Sequence, residues 1–183
     1  MRRTTIVVAV VLAAALLVAV PAGADEPAAG TMDLSWSPCF AGPGMATPDW
    51  IGSITLEGDT YGMAFFNLGN GKAFDHPTGS AMFFTEVYAL YPEPIEDCPG
   101  TAVDLANALL WGYDSGMLSL PNSKYHMSGW VEEASGPLAG LAGGSVYMSG
   151  IIVWDESGNP AFAPGQLRIT RPDLGASPEH QAL

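Results

Sequence analysis

Basic residues are scarce in this sequence, which contains 6 Lys and Arg against 19 Asp and Glu and has a net charge of −13 at pH 7. Two of the six basic residues and none of the acidic ones lie within residues 1–24, so a chain that begins at residue 25 carries a net charge of −15. An acidic surface repels phosphate backbones and anionic lipid headgroups, because their approach adds like-charge repulsion and releases no counterions. The composition therefore predicts no nucleic-acid partner, whereas cations, basic proteins and neutral apolar molecules are compatible with it.

The sequence also lacks the short motifs of the common enzyme classes. It contains no GxSxG nucleophile elbow, no HExxH zinc motif, no P-loop and no GxGxxG dinucleotide fingerprint. No segment spaces its acidic residues in the 1-3-5 pattern of a calcium-binding loop. We therefore predict no cofactor and no metal site, and we favour a protein that is not an enzyme while leaving that question open.

Only two cysteines are present, Cys39 and Cys98. Neither belongs to a CxxC motif or has a histidine nearby, so a metal-binding pair is disfavoured and a disulfide is predicted in an oxidising compartment. Closing a loop of about 60 residues stabilises a fold by about 4 kcal/mol in the chain-entropy description. Such a bridge would also leave no thiol nucleophile.

The N-terminus has the three parts of a secretory signal peptide. Arg2 and Arg3 form the basic region, residues 6–20 form an apolar run, and residues 22–24 (AGA) form the small-residue cleavage pattern. The run of about 15 residues is shorter than the roughly 20 that span a bilayer, so we predict cleavage after Ala24 rather than a retained membrane anchor. The mature protein is predicted to be secreted or periplasmic, with no membrane partner after cleavage.

Short apolar segments alternate with Gly, Asn, Asp and Pro along the rest of the chain, and no long amphipathic helix interrupts them. The strongest segment is SAMFFTEVYALY (80–91), which is rich in aromatic and β-branched residues. GGSVYMSGIIVWDESGNPAFAPGQLRI (143–169) predicts a last pair of strands that turns at DESGNP. The segments amount to about eight strands, a number typical of a barrel or a sandwich.

Several predicted strands are apolar on both alternations and contain glycine. A closed barrel explains this pattern, because side chains fill its lumen while loops or a partner cover its outside, and glycine permits curvature or close approach. The alternative is a flat sandwich whose glycines accommodate packed aromatic rings. We favour an all-β fold made of a single antiparallel β-barrel.

This interpretation divides the chain into four parts. Residues 1–24 are the signal peptide, and residues 25–35, which are small and polar, are predicted to be a flexible segment. The barrel domain is assigned to residues 36–171. Residues 172–183 contain prolines and charges without periodicity, which predicts a disordered tail.

Three segments together resemble the barrel shared by dirigent proteins and allene oxide cyclases: ITLEGDTYGMAFF, GSAMFFTEVYALY and YHMSGWVEEASGPLAGLAGGSVYMSGIIV. The likeness consists of a Gly-Asp turn after the first strand, an aromatic strand with an inserted Glu, and a Gly-rich crossing before the final hairpin. It also extends to small exported bacterial proteins of that shape. The resemblance implies an antiparallel barrel with an apolar cavity, often oligomeric, and an activity that steers reactive lipid or phenolic intermediates without cofactors. It assigns no catalytic residue to this sequence.

Glu86 is the first candidate acid or base. It stands in mid-strand between Phe84 and Tyr88 on one alternation. If that alternation faces the lumen, burial would raise the pKa of the Glu86 carboxyl into a range useful for proton transfer. The favoured alternative places Glu86 in solvent on the outside of the barrel, because carboxylates are rarely buried without a partner.

His126 is the second candidate, and it shares its alternation with Trp130 and Glu132. If this face and the Glu86 face line one cavity, then Glu86, Tyr88, Trp130 and Glu132 form a ligand site of polar groups on an aromatic wall. The favoured alternative spreads these residues over the outer face as cross-strand pairs.

These observations predict a secreted barrel that binds a small apolar or aromatic molecule in its lumen. One alternative is a cofactor-free isomerase or cyclase of the type that the resemblance implies. The other is a structural or surface protein whose barrel mediates assembly into a homo-oligomer. A binding protein needs free volume in the lumen, whereas a structural protein would fill it with side chains such as Phe65, Phe83, Trp130 and Met148.

Overall fold

The structure is a computed structural model that describes residues 26–39, 47–68, 72–76, 79–96 and 104–172. These ranges contain eleven strands and two short 3₁₀ segments. Within them, no helix is long and apolar enough to cross a membrane. In chain order the strands are β1 (Ala28–Trp36), β2 (Trp50–Leu56), β3 (Asp59–Asn67), β4 (Lys72–His76), β5 (Gly79–Tyr91), β6 (Leu110–Ser119), β7 (Lys124–Ala134), β8 (Ser145–Ile151), β9 (Val153–Trp154), β10 (Pro160–Phe162) and β11 (Gly165–Thr170).

Eight of these strands close an antiparallel barrel in the order β1-β2-β3-β5-β6-β7-β8-β11 and back to β1. The closing pair is β1 with β11, in a register that runs from Ala28 opposite Ile169 to Met32 opposite Gly165. β4 pairs with β5 outside this ring, and β9 and β10 form a small hairpin between β8 and β11. The predicted all-β barrel of about eight strands is confirmed, and the sandwich alternative is wrong.

The barrel begins earlier in the chain than the sequence analysis expected. β1 starts at Ala28, inside the segment 25–35 that was predicted to be flexible, and it pairs with both β2 and β11. Ala28, Met32 and Leu34 of this strand are buried in the lumen. The inward alternation of β1 consists mostly of small or unbranched residues. It therefore lacks the β-branched and aromatic residues that usually indicate a strand in a sequence.

One end of the lumen is filled by apolar side chains. Leu90, Leu110 and Val131 belong to one buried cluster there, and Leu138 and Leu141 of the 3₁₀ segment between β7 and β8 pack against it. All five side chains are at most 4 % exposed. Tight burial of this kind makes the packed end a source of hydrophobic stabilisation for the barrel.

A second hydrophobic cluster lies on the outward alternation of β2, β3 and β5 and includes Ile51, Phe66, Val87 and Ala89. Residues of the connection between β5 and β6, among them Leu105, pack against this cluster. The covering connection explains why β3 and β5 are apolar on both alternations.

β8 differs from β3 and β5, because the outer side chains of Tyr147 and Ile151 are 49 % and 43 % exposed. Its inner side chains, Val146 and Met148, are buried in the lumen. The second apolar face of β8 is therefore bare in the single chain.

Two tyrosines occupy the space that glycines leave in the lumen wall. A Cβ atom at Gly112 would overlap the carbonyl oxygen of Trp130 and lie 2.6 Å from the Tyr88 hydroxyl oxygen, and one at Gly150 would overlap the carbonyl oxygen of Pro164 and lie 2.5 Å from the Tyr125 hydroxyl oxygen. The Tyr88 hydroxyl donates a hydrogen bond of 3.0 Å to the carbonyl oxygen of Trp130. Close approach of a neighbouring backbone carbonyl, together with a tyrosine hydroxyl, is thus the physical reason for glycine at these two positions.

Three sequence predictions fall outside the described residues. These are the signal peptide at residues 1–24, the tail at residues 172–183 apart from its first residue, and the position of Cys98. The disulfide between Cys39 and Cys98 therefore stays a prediction.

Candidate functional site

A cavity of about 290 Å³ occupies the end of the lumen opposite the packed end. This volume lies close to the lower limit of ordinary small-molecule sites, roughly 300 Å³. Its aromatic lining consists of Trp36, Trp50, Phe65, Phe84, Tyr125 and Trp154. The indole rings of Trp36 and Trp50 meet edge to face, with centroids 5.1 Å apart and planes at 87°.

Three polar side chains interrupt this apolar lining: Asp49, Asn67 and Glu86. Glu86 lies in the middle of β5, directly opposite Asn67 on β3. Asp49 immediately precedes β2, where its backbone N–H donates to the carbonyl oxygen of Phe65 and its own carbonyl oxygen accepts from the N–H of Ser37. These backbone bonds hold Asp49 between β1 and β3 at the cavity wall.

The burial of Glu86 follows from the alternation of β5. Glu86 shares its face with Phe84, Tyr88 and Leu90, and Tyr88 and Leu90 are fully buried. A one-residue slip that turned Glu86 outward would also take Tyr88 and Leu90 out of the lumen and change the register of β5 with β3 and β6. In the lumen Glu86 has a hydrogen bond with Asp49, which offsets part of the cost of burying its carboxyl. The solvent-facing alternative for Glu86 is wrong, and the lumen-facing hypothesis is the one that the fold supports.

Glu86 and Asp49 form a coupled carboxyl pair. Burial raises the pKa of Glu86 well above its ordinary value, and the negative charges of Asp49 and Asp114 and the hydrogen bond with Asp49 raise it further. Burial raises the pKa of Asp49 to about 6, and hydrogen bonds from the backbone and from Glu86 and Asn67 oppose part of that rise. Glu86 therefore carries the shared proton, and Asp49 is the ionised member at neutral pH.

Asp114 is a third buried carboxyl, and it lies opposite Glu86 on β6. Burial raises its pKa well above the ordinary value, and the charge of Asp49 adds to this rise. Neither carboxyl oxygen has a hydrogen-bond partner in the described part of the chain. On its other side Asp114 lies opposite Gly129 of β7, where a Cβ atom would come within 2.9 Å of the Asp114 Cβ atom.

The other predicted site residues do not join Glu86 at the cavity. Tyr88 is buried deeper in the lumen, where its hydroxyl group is bonded to the backbone of Trp130. His126, Trp130 and Glu132 are exposed on the outer face of β7, and the Trp130 Nε1–H donates to Glu132 Oε2 at 2.9 Å. The hypothesis that the His126 and Glu86 alternations line one cavity is wrong, because β7 turns its other alternation inward.

Sequence reasoning missed Asp49, Asn67 and Asp114. A signal existed for Asp114, which shares its alternation with Leu110 and Leu118 in β6. Asp49 has the appearance of an ordinary turn residue before a strand. Within the described residues, no group of three or more His, Cys, Asp and Glu side chains is placed to hold a metal ion.

The fold and the site together define a class: a closed eight-stranded antiparallel barrel with one packed end and one open cavity that carries a carboxyl pair. Comparisons of the chain with protein-family models, with curated proteins and with solved structures each find no match. The resemblance to dirigent proteins and allene oxide cyclases stays a prediction.

Proposed function

We propose that the protein is an exported binding protein that holds a small, largely apolar molecule in the open end of its barrel. The observation that carries this proposal is a cavity of about 290 Å³ at one end of a lumen whose other end is filled with apolar side chains. The signal-peptide pattern supports export, although that part of the chain lies outside the described residues.

The lining of the cavity supports a ligand with an apolar body and one polar end. Aromatic and aliphatic side chains make up most of the wall, and the polar groups cluster around Glu86 and Asp49. A ligand that buries about 200 Å² of apolar surface gains roughly 5 kcal/mol before the losses of ordering are subtracted. One polar contact then fixes its orientation.

Naphthalene is a suitable probe, because three tryptophans line the cavity and report its binding through their fluorescence. Phe84→Trp should narrow the cavity and weaken naphthalene binding at least tenfold. Phe83→Trp is the matched control, because Phe83 is the neighbour of Phe84 on the outer face of the same strand and is 51 % exposed. It should change the affinity less than twofold. Absence of saturable binding, or equal effects of the two variants, would overturn the proposal.

A second candidate function is cofactor-free isomerisation or cyclisation, and the Glu86–Asp49 pair favours it. An acid and a base that face one cavity can move a proton between two positions of a bound molecule. A molecule that co-purifies with the protein, identified by native mass spectrometry, would be the substrate to test. Glu86→Gln should then retain binding and lose conversion, whereas unchanged conversion would exclude this candidate.

A further inference from the structure

We infer that the molecule held in the open cavity is an apolar monoamine, whose ammonium group lies against Asp49 and Glu86 and whose apolar body lies on the aromatic walls. This inference rests on the proposed function, because it names the chemical class of ligand for the same cavity.

The Asp49 carboxyl contains an unsatisfied hydrogen-bond acceptor. Asp49 lines the cavity and is 2 % exposed, and its Oδ1 atom has no hydrogen-bond partner among the described residues. A buried polar atom without a partner costs about 1–3 kcal/mol, and more when the group is charged. A ligand that donates a hydrogen bond relieves this cost, whereas a carbonyl, ether or carboxylate ligand does not.

The Glu86–Asp49 pair has no free proton with which to donate a hydrogen bond to a ligand. Protonated Glu86 donates a hydrogen bond to ionised Asp49, so the pair presents an acceptor to the cavity rather than a donor. A neutral carbonyl ligand would therefore have to break the Glu86–Asp49 hydrogen bond. An ammonium group leaves that bond in place and supplies the missing donor.

The negative charge of the Glu86–Asp49 pair is not compensated by any described residue that lines the cavity. The titratable and charged groups that face the pair are Asp114 from β6 and Tyr125 from β7, and Asn67 on β3 adds only a neutral amide. None of the described residues that line the cavity is basic. A monocation balances the single charge of the pair, while an anion would add repulsion in a poorly solvated space.

Aromatic side chains line the cavity next to the Glu86–Asp49 pair. The indoles of Trp36 and Trp50 line the cavity together with Asp49. A cation over an indole face gains about 0.5–2 kcal/mol, and the larger value applies when water is excluded. Aromatic walls thus stabilise both the apolar body and the charged end of an amine.

The test compares three probes with one aromatic body: 2-naphthylmethylamine, naphthalene and 2-naphthylacetate, each titrated into the mature secreted protein by calorimetry. At pH 7.5 the amine should bind at least tenfold more tightly than naphthalene, and the acetate should bind more weakly than either. At pH 5 Asp49 becomes protonated because its pKa is about 6, so the advantage of the amine should shrink to less than threefold.

Asp49→Asn should reduce the ratio of amine to naphthalene affinity from at least tenfold to less than threefold, whereas Asp33→Asn, a change of an exposed aspartate on β1, should keep the full ratio. If Asp49→Asn does not fold, the pH comparison on the unaltered protein decides alone. Naphthalene binding without any preference for the amine overturns this inference and leaves the proposed function standing. Failure of all three probes overturns the proposed function itself.

Discussion

The two ends of the barrel lumen are built by the same strands and have opposite chemistry. β5 supplies Leu90 to the packed end, Glu86 to the middle and Phe84 to the open end. β6 similarly runs from Leu110 at the packed end to Leu118 at the cavity. The difference teaches that stability and binding are separated along each strand rather than assigned to different strands.

The boundary between the two ends is a row of side chains in register. Asn67, Glu86, Asp114 and Gly129 lie opposite one another on four neighbouring strands. Buried carboxyls destabilise a fold, so this row breaks the rules that the packed end follows. Such violations are expected where a protein binds or reacts, because function rather than packing maintains them.

The largest expected effect comes from shortening a leucine side chain at either end of β6. Leu110→Ala should lower the free energy of unfolding by about 2–5 kcal/mol, because it opens a void in a fully packed region. Leu118→Ala borders a cavity that already exists, so it should lower that free energy by only about 1–2 kcal/mol. Urea denaturation measures both values, and equal losses would contradict the separation of the two ends.

The second expected effect is a loss of stability with rising pH. The pKa of Asp49 is raised from 3.8 to about 6 in the fold, so the unfolded chain releases this proton first. Protonation of Asp49 therefore stabilises the fold relative to high pH by about 3 kcal/mol. This contribution is complete below pH 3.8 and is lost as the pH rises through about 6. Glu86 and Asp114, whose pKa values are also raised, should extend the loss to higher pH.

Self-repulsion of an acidic surface produces a pH dependence of the same sign, so a control is needed. The triple variant Asp49→Asn, Glu86→Gln and Asp114→Asn should flatten the profile of urea midpoints between pH 4 and 8. Glu156→Gln, an exposed change of the same kind, should leave the profile nearly unaltered. A triple variant that keeps the full slope would show that the three buried carboxyls are not its source.

The third effect compares the two lumen tyrosines. Tyr88→Phe removes a 3.0 Å hydrogen bond to a carbonyl oxygen on the packed side of Glu86, and it should lower the free energy of unfolding by about 1 kcal/mol. Tyr125→Phe removes only a 3.5 Å contact to Ala163 at the open end and should lower it by less than about 0.5 kcal/mol. Thermal melts resolve this difference, and the reverse order would contradict the expected rigidity of the packed side.

The sequence was sufficient to predict the fold class and several elements. The aromatic segment 80–91 is β5 apart from its first residue, and DESGNP forms the turn between β9 and β10. The predicted number of strands agrees with the barrel partly through compensating errors. β1 was missed because its segment was predicted to be flexible, whereas the continuous β6 contains glycines such as Gly116 that resemble a break between two strands.

The candidate site was only partly predictable, for two physical reasons. Glu86 was identified, but its direction was ambiguous because both faces of β5 are apolar, the outer one being covered by the connection that contains Leu105. Asp49 and Asp114 reach Glu86 through strand register and barrel closure. These are long-range properties that local alternation does not contain.

The smallest expected effect is on the hairpin at the open end. Asp155 accepts hydrogen bonds from the backbone N–H groups of Ser157 and Asn159, which hold the turn between Trp154 and Pro160 at the cavity wall. Asp155→Ala should lower the melting temperature by less than about 2 °C, because the turn is exposed and separate from the packed end. It should nevertheless weaken naphthalene binding two- to fivefold, and Asp155→Asn should restore most of the affinity because its side-chain oxygen accepts the same bonds. If Asp155→Ala leaves the affinity unchanged, the barrel strands alone define the binding site and the hairpin is only a connection.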